Sequence, residues 1–179
     1  MKGLPPFAQH FILHWGEMGA RWGINRTVAQ IQALLFISET PLNAEEICER
    51  LGVARSNVSN SLKELQNWGI AKVVHLPGDR RDHFESIRDV HELFRVIAAE
   101  RKRREIDPTL VRLRACAKEA GATDDPADAY AKEQLESLLG FFELVSEFYE
   151  KMNRLPTKSA VHAIRMGDKI AKSIVSLVK

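Results

Sequence analysis

Apolar positions fall into blocks of helical spacing, interrupted once by strand-like alternation. Phe7, Phe11, Trp15, Met18 and Trp22 recur at steps of four, four, three and four. That spacing predicts one apolar stripe on an amphipathic helix, closed by Gly23. Thr27 reads as the N-cap of a second helix carrying Val28, Ile31, Leu34, Leu35 and Ile37, with Pro41 as its stop. Asn43 caps a third, AEEICERL, whose glutamates sit near the first turn where the helix dipole favours them; Gly52 closes it. A fourth helix is expected over 54–68, with Val58, Leu62, Leu65 and Trp68 turned inward and Gly69 as its end.

The alternation follows at once. Residues 70–76, IAKVVHL, predict a strand, PGDRRD a turn and HFESI a second strand. After Asp89 the spacing is helical again, with Val90, Leu93, Phe94 and Ile97 on one stripe. Asp107-Pro108 looks like an N-cap and first helical residue, so 89–120 is either two helices or one kinked helix. A loop is expected over 121–127. Leu135, Leu138, Phe142, Val145, Tyr149 and Met152 then form a heptad seam, with Leu139, Phe141, Leu144 and Phe148 as a second apolar row. A last helix is expected from about residue 158, carrying Val161, Ile164, Ala171, Ile174 and Val178. The order predicts a mainly α protein. Its 24–88 segment is a winged helix-turn-helix of three helices and a two-stranded wing. Additional dimerisation helices lie in 1–23 and 89–179, a helical dimerisation and effector region, and the first helix is expected to pack with the C-terminal part.

Composition narrows the class. With 45% hydrophobic and 28% charged residues in 179, the chain reads as an ordinary soluble globular protein. It has no apolar run approaching the roughly 18 residues of a membrane span, and its first residues lack the apolar core of a signal peptide. A cytoplasmic location is the expectation. Cys48 and Cys116 stand far apart without a CxxC pair, so reduced thiols packed as small apolar side chains are expected, not a disulfide or zinc site.

The net charge is only +2, so a nucleic-acid contact must be focused on a small surface. Such a surface is present in the helix at 54–68, where Arg55, Ser56, Asn57, Ser59, Asn60 and Lys63 lie between the apolar positions. Serine and asparagine are poor helix formers, so helix stability does not explain them. Solvated helix faces are usually rich in Glu and Lys. Short hydroxyl and amide side chains suit base edges in a major groove, and Arg55 and Lys63 reach guanine or phosphate. The turn adds Arg80 and Arg81 at a hairpin tip, suited to a minor groove, with Asp79 placed to hold one of them. Double-stranded DNA is therefore the expected partner, met by helix 54–68 in the major groove and wing 77–82 in the minor groove.

These residues carry a family resemblance. RTVAQIQALLFIS, PLNAEEICERLGVARSNVSNSLKELQNWGI and PGDRRDHF resemble the winged-helix domain of MarR-type transcriptional regulators, in particular the GbsR-like branch, over roughly residues 7–105. The resemblance implies a homodimeric regulator, such as a repressor, that binds a palindromic operator and is released by a small effector. It implies base and backbone contacts at Arg55, Ser56, Asn57, Ser59 and Asn60, and a wing role for Asp79, Arg80 and Arg81. The chain departs from the pattern at Ala54, where a Ser or Thr cap is usual; a lost cap costs on the order of 1 kcal/mol.

Other clusters carry less. His10, His14 and Glu17 share a helix side, but more often such residues flank a stripe than bind a metal. Arg101-Lys102-Arg103-Arg104 reads as a solvated face, balanced by Glu100 and Glu105. Phe141, Phe142, Phe148 and Tyr149, with Trp15 and Trp22, could wall an effector pocket, although aromatic stripes usually form core or dimer seam. No nucleophile with base, paired carboxylates or glycine-rich phosphate loop appears, so no enzyme, cofactor or metal role is expected. The rival is a winged-helix protein-interaction module, favoured by the near-neutral charge.

Overall fold

Asn43 shows how local chemistry starts an element. Its side-chain oxygen accepts from the Glu46 amide at 3.0 Å, while the Glu46 carboxylate accepts from the Asn43 amide at 2.8 Å. This reciprocal capping box opens α3 (Ala44–Leu51), and Gly52 ends it with φ +69°, a left-handed conformation favouring glycine. Because Asn43 is also buried, Asn43→Ala is expected to cost roughly 1–2 kcal/mol, read as a lowered urea midpoint. An unchanged midpoint would show that the box does not stabilise the fold.

The computed structural model describes residues 1–122 and 125–156, with isolated positions at 159, 162, 166 and 167. The expected last helix, with Val161, Ile164, Ala171, Ile174 and Val178, lies outside the described residues. The chain divides into two compact units, residues 1–97 and 98–179.

In the first unit, α1 (Pro6–Arg21) precedes α2 (Arg26–Ile37), β1 (Leu42–Asn43), α3, α4 (Arg55–Asn67), β2 (Ala71–Val74) and β3 (His83–Ser86). Helix α5 (Val90–Arg101) follows. Helix α2 is the hub, packed against α1, α3, α4 and β3. Ile12, Ile31, Leu34, Leu35, Ile47, Val58, Leu65 and Ile70 close around it as one apolar core. On α5, Leu93 is buried and Ile97 packs against this core, whereas Val90 and Phe94 are exposed.

Several expectations need correction. The α2 cap is Asn25, whose side chain accepts from the Thr27 amide at 2.8 Å; Thr27 itself is already helical. The helix ends at Ile37, ahead of Pro41, where the Ser38 hydroxyl donates to the Leu34 carbonyl at 2.6 Å. The buried face of α1 is Ala8, Ile12, Gly16 and Gly19, not the aromatic stripe. Phe7 is exposed, and Phe11 and Trp15 are half-buried. The reason is close approach: a Cβ added at Gly19 would stand 2.6 Å from the Ala29 Cβ, well inside contact distance. Small residues let α1 close on α2, and on the side of α5 Trp15 meets Phe94 edge-on with ring centroids 6.4 Å apart.

The wing is a three-stranded antiparallel sheet, ordered β1-β3-β2. Phe84 lies opposite both Leu42 and Val73. Strand β1 escapes sequence reading because two residues after a proline show no alternation.

In the second unit a π-helical turn, Lys102–Ile106, leads into α6 (Asp107–Gly121), and α7 (Ala129–Arg154) follows. Arg101 and Asp107 both keep right-handed helical angles. Asp107 is thus no cap: the backbone stays helical through this stretch, and the wider turn accommodates Pro108, which lacks a donor. Helix α7 packs on α6, with Arg114 and Glu143 joined at 3.0 Å. The half-buried positions of α7 include Leu135, Leu139, Phe142, Ser146, Tyr149 and Met152. Leu138 and Val145, expected in the seam, are exposed together with Phe141, Leu144 and Phe148. Helix α7 carries two apolar faces, and α6 covers one. Cys48 is half-buried, whereas Cys116 is exposed on α6 and not packed as a small apolar side chain.

Candidate nucleic-acid interface

Helix α4 sorts its residues by face. Val58, Ser61, Leu62 and Leu65 are buried, which anchors the helix on the α2 core. Arg55, Ser56, Asn57, Asn60 and Lys63 are exposed on the other side, and Ser59 is half-buried between the two. The buried set follows i, i+3, i+4 spacing, so one helical period separates the anchoring face from the polar one. Ala54 supplies no side-chain cap. Burial of Val58 and Leu62 holds the first turns in its place. Trp68, expected inward, follows the end of α4 as a half-buried residue.

The wing turn is built around Asp79. Its carboxylate accepts from the Arg81 amide at 3.0 Å and from the Arg81 Nε at 2.9 and 3.0 Å, with the Arg81 Nη2 also in contact. These bonds from Arg81 hold the Asp79 carboxyl well below the usual carboxylate range. The Asp79–Arg81 clasp therefore forms fully above that ordinary range and is lost only as pH falls through the lowered value. His83, which spacing alone marks as isolated, is buried beneath the turn with Nδ1 3.0 Å from the Arg81 carbonyl oxygen. Arg80 is exposed and makes no hydrogen bond or ion pair among the described residues.

A cleft of about 330 Å³ joins the two elements, lined by Arg55, Ser59 and Lys63 from α4 and by Arg81 and Asp82 from the wing. Glu45 of α3 lines it too and pairs with Arg55. That hydrogen bond, chiefly, lowers the Glu45 pKa and raises that of Arg55. The sequence reading missed Glu45; its signal, an acid in the first turn of the preceding helix, serves the helix dipole equally well.

The remaining candidates fall elsewhere. His10 and His14 are exposed, and Glu17 accepts from Arg26 at 3.2 Å. Among the described residues no group of three or more His, Cys, Asp or Glu is placed to hold a metal. Arg101 pairs with Glu105, Arg103 and Arg104 with Glu100, and Lys102 with Asp107 and Glu150. Each residue of the basic run is thereby paired with a carboxylate. Trp15 and Trp22 line a small cavity in the first unit with Trp68 and Gln32, whose buried side-chain oxygen has no partner among the described residues. Phe141 and Phe142 meet edge-on in the second unit, 6.1 Å apart.

Three helices followed by a hairpin, with polar residues on the third helix and arginines on the hairpin, define a winged helix-turn-helix. Residues 22–82 match the family model "MarR family". Two Bacillus subtilis (strain 168) proteins are similar over this region. One, YvaV, is provisionally named an HTH-type transcriptional regulator and is 26% identical over 85 residues, 48% of each chain. The other, named HTH-type transcriptional repressor OpcR, is 23% identical over 86 residues, 48% of this chain and 46% of its own length. The match thus spans about half of these relatives. A solved structure described as a transcriptional regulator shares the fold at TM-score 0.58 and 16% identity, over 84% of this chain and all of that one. Among the described residues no helix is long and apolar enough to cross a membrane.

Proposed function

We propose that this chain is a DNA-binding transcriptional regulator of the GbsR-like branch, a cytoplasmic repressor that binds a palindromic operator as a homodimer and is not an enzyme. The observation that carries the reading is the outer face of α4. Arg55, Ser56, Asn57, Asn60 and Lys63 stand exposed on a helix anchored from behind, beside a wing that presents Arg80 and a clasped Arg81. Helix α4 reads base edges in the major groove while the wing enters the minor groove. The exposed row Leu138, Phe141, Leu144, Val145 and Phe148 on α7 supports self-association, since a second copy covers such a row symmetrically.

Fluorescence anisotropy with duplexes selected from a random library tests the reading. Arg81→Ala is expected to weaken operator and random DNA alike. It should also lower the slope of log affinity against log salt by about two, one for each subunit of the homodimer. A protein with no affinity for any duplex, at any salt, would favour a protein-interaction module instead.

A further inference from the structure

Glu45 places a carboxylate on a surface that the reading above assigns to a polyanion. Its pairing with Arg55 adds little to stability. Its side chain is 52% exposed and that of Arg55 61%, and an ion pair this open contributes little. Its position is nonetheless specific. Glu45 sits in the first turn of α3, and its oxygen accepts from Arg55 Nη1 at the first residue of α4. The same carboxylate also interacts electrostatically with Arg81 across the cleft. Lys63 and Ser59 line that cleft as well.

We propose that Glu45 is a specificity-determining residue, which turns Arg55 from a phosphate contact into a base-reading one. The inference rests on the proposed DNA-binding function. A guanidinium has five donors in a fixed fork. A carboxylate on one Nη takes part of that fork and fixes the rotamer, leaving other N–H groups for the neutral acceptors O6 and N7 of guanine. Its charge also offsets that of Arg55. The arginine then gains less from a phosphate, whose attraction is Coulombic, than from a guanine edge, whose recognition is geometric. Glu45 therefore lowers affinity for DNA in general more than affinity for the right sequence.

The test uses the full chain and two duplexes of about three helical turns, one recovered by selection and one scrambled from it. Glu45→Gln removes the charge and keeps the shape. It is expected to raise affinity for the scrambled duplex about fivefold near physiological salt and to steepen the salt slope by about two, one for each subunit. Affinity for the selected duplex rises less, so the ratio of the two falls. Glu45→Asp keeps the charge, and its salt slope stays at the wild-type value. In an Arg55→Ala background, Glu45→Gln leaves the ratio unchanged, because the base contact it serves is gone. A ratio untouched by Glu45→Gln in the wild-type background overturns the proposal while leaving DNA binding intact. So does an equal fall in the ratio with and without Arg55. A wild-type chain that binds neither duplex overturns the functional reading itself, and this one with it.

Discussion

Leu34→Ala is expected to destabilise the first unit by about 2–5 kcal/mol, a large share of the roughly 5–15 kcal/mol that holds a domain together. Leu34 is fully buried on α2, the helix that α1, α3, α4 and β3 all contact. Truncation there removes apolar area and leaves a cavity that surrounding elements cannot all collapse into, because each is tied to the others. Urea unfolding followed by far-ultraviolet circular dichroism measures it. The midpoint should fall steeply at constant slope. DNA affinity should fall with it wherever the unfolded fraction becomes appreciable, since α4 is anchored on the same helix. A loss below about 1 kcal/mol would mean that α2 is not the centre of this core.

The second large effect acts on recognition with the fold preserved. The Asn57 side chain is exposed on α4 and makes no hydrogen bond among the described residues, so its removal leaves no buried group unpaired. A bidentate asparagine–adenine contact discriminates by about 1–3 kcal/mol, and a homodimer makes it twice. Asn57→Ala is therefore expected to reduce operator affinity by about tenfold or more, with thermal melting unchanged. Affinity for random DNA, held by phosphates, should move little. Equal losses on both duplexes would assign Asn57 to the backbone. No loss on either would turn this face of the helix away from DNA.

Much of the candidate interface was legible because it rests on neighbours in sequence. The alternation of Val58, Leu62 and Leu65 with Arg55, Asn57, Asn60 and Lys63 is a helical period, which the backbone enforces wherever one side finds a core. The Asp79–Arg81 clasp spans two residues, within reach of a turn. The partners of Glu45 and His83 were not legible. Glu45 meets Arg55 ten residues on, across the bend between two helices. His83 finds its place only when the hairpin closes over it.

The α1 face makes the same point for packing. Five aromatic and long side chains marked one stripe, yet α1 buries the adjacent Ala8, Ile12, Gly16 and Gly19. Hydrophobicity ranks side chains by transfer energy, but a helix pair settles where backbones approach closest, and glycine permits that.

What the chain dictated by itself is the order of elements, the Asn43 box, the Gly52 and Gly69 stops, and the polar outer face of α4. Capping bonds, left-handed glycines and side-chain periodicity all act within a turn or two of helix, so they are present in any conformation that forms the element. Tertiary structure alone decided that β1 joins the wing, that α1 sides with α2, that α6 covers one of the two apolar rows of α7, and that Glu45 faces Arg55. Those outcomes depend on which surfaces meet in space, where pairing, steric fit and charge are set by partners distant in sequence.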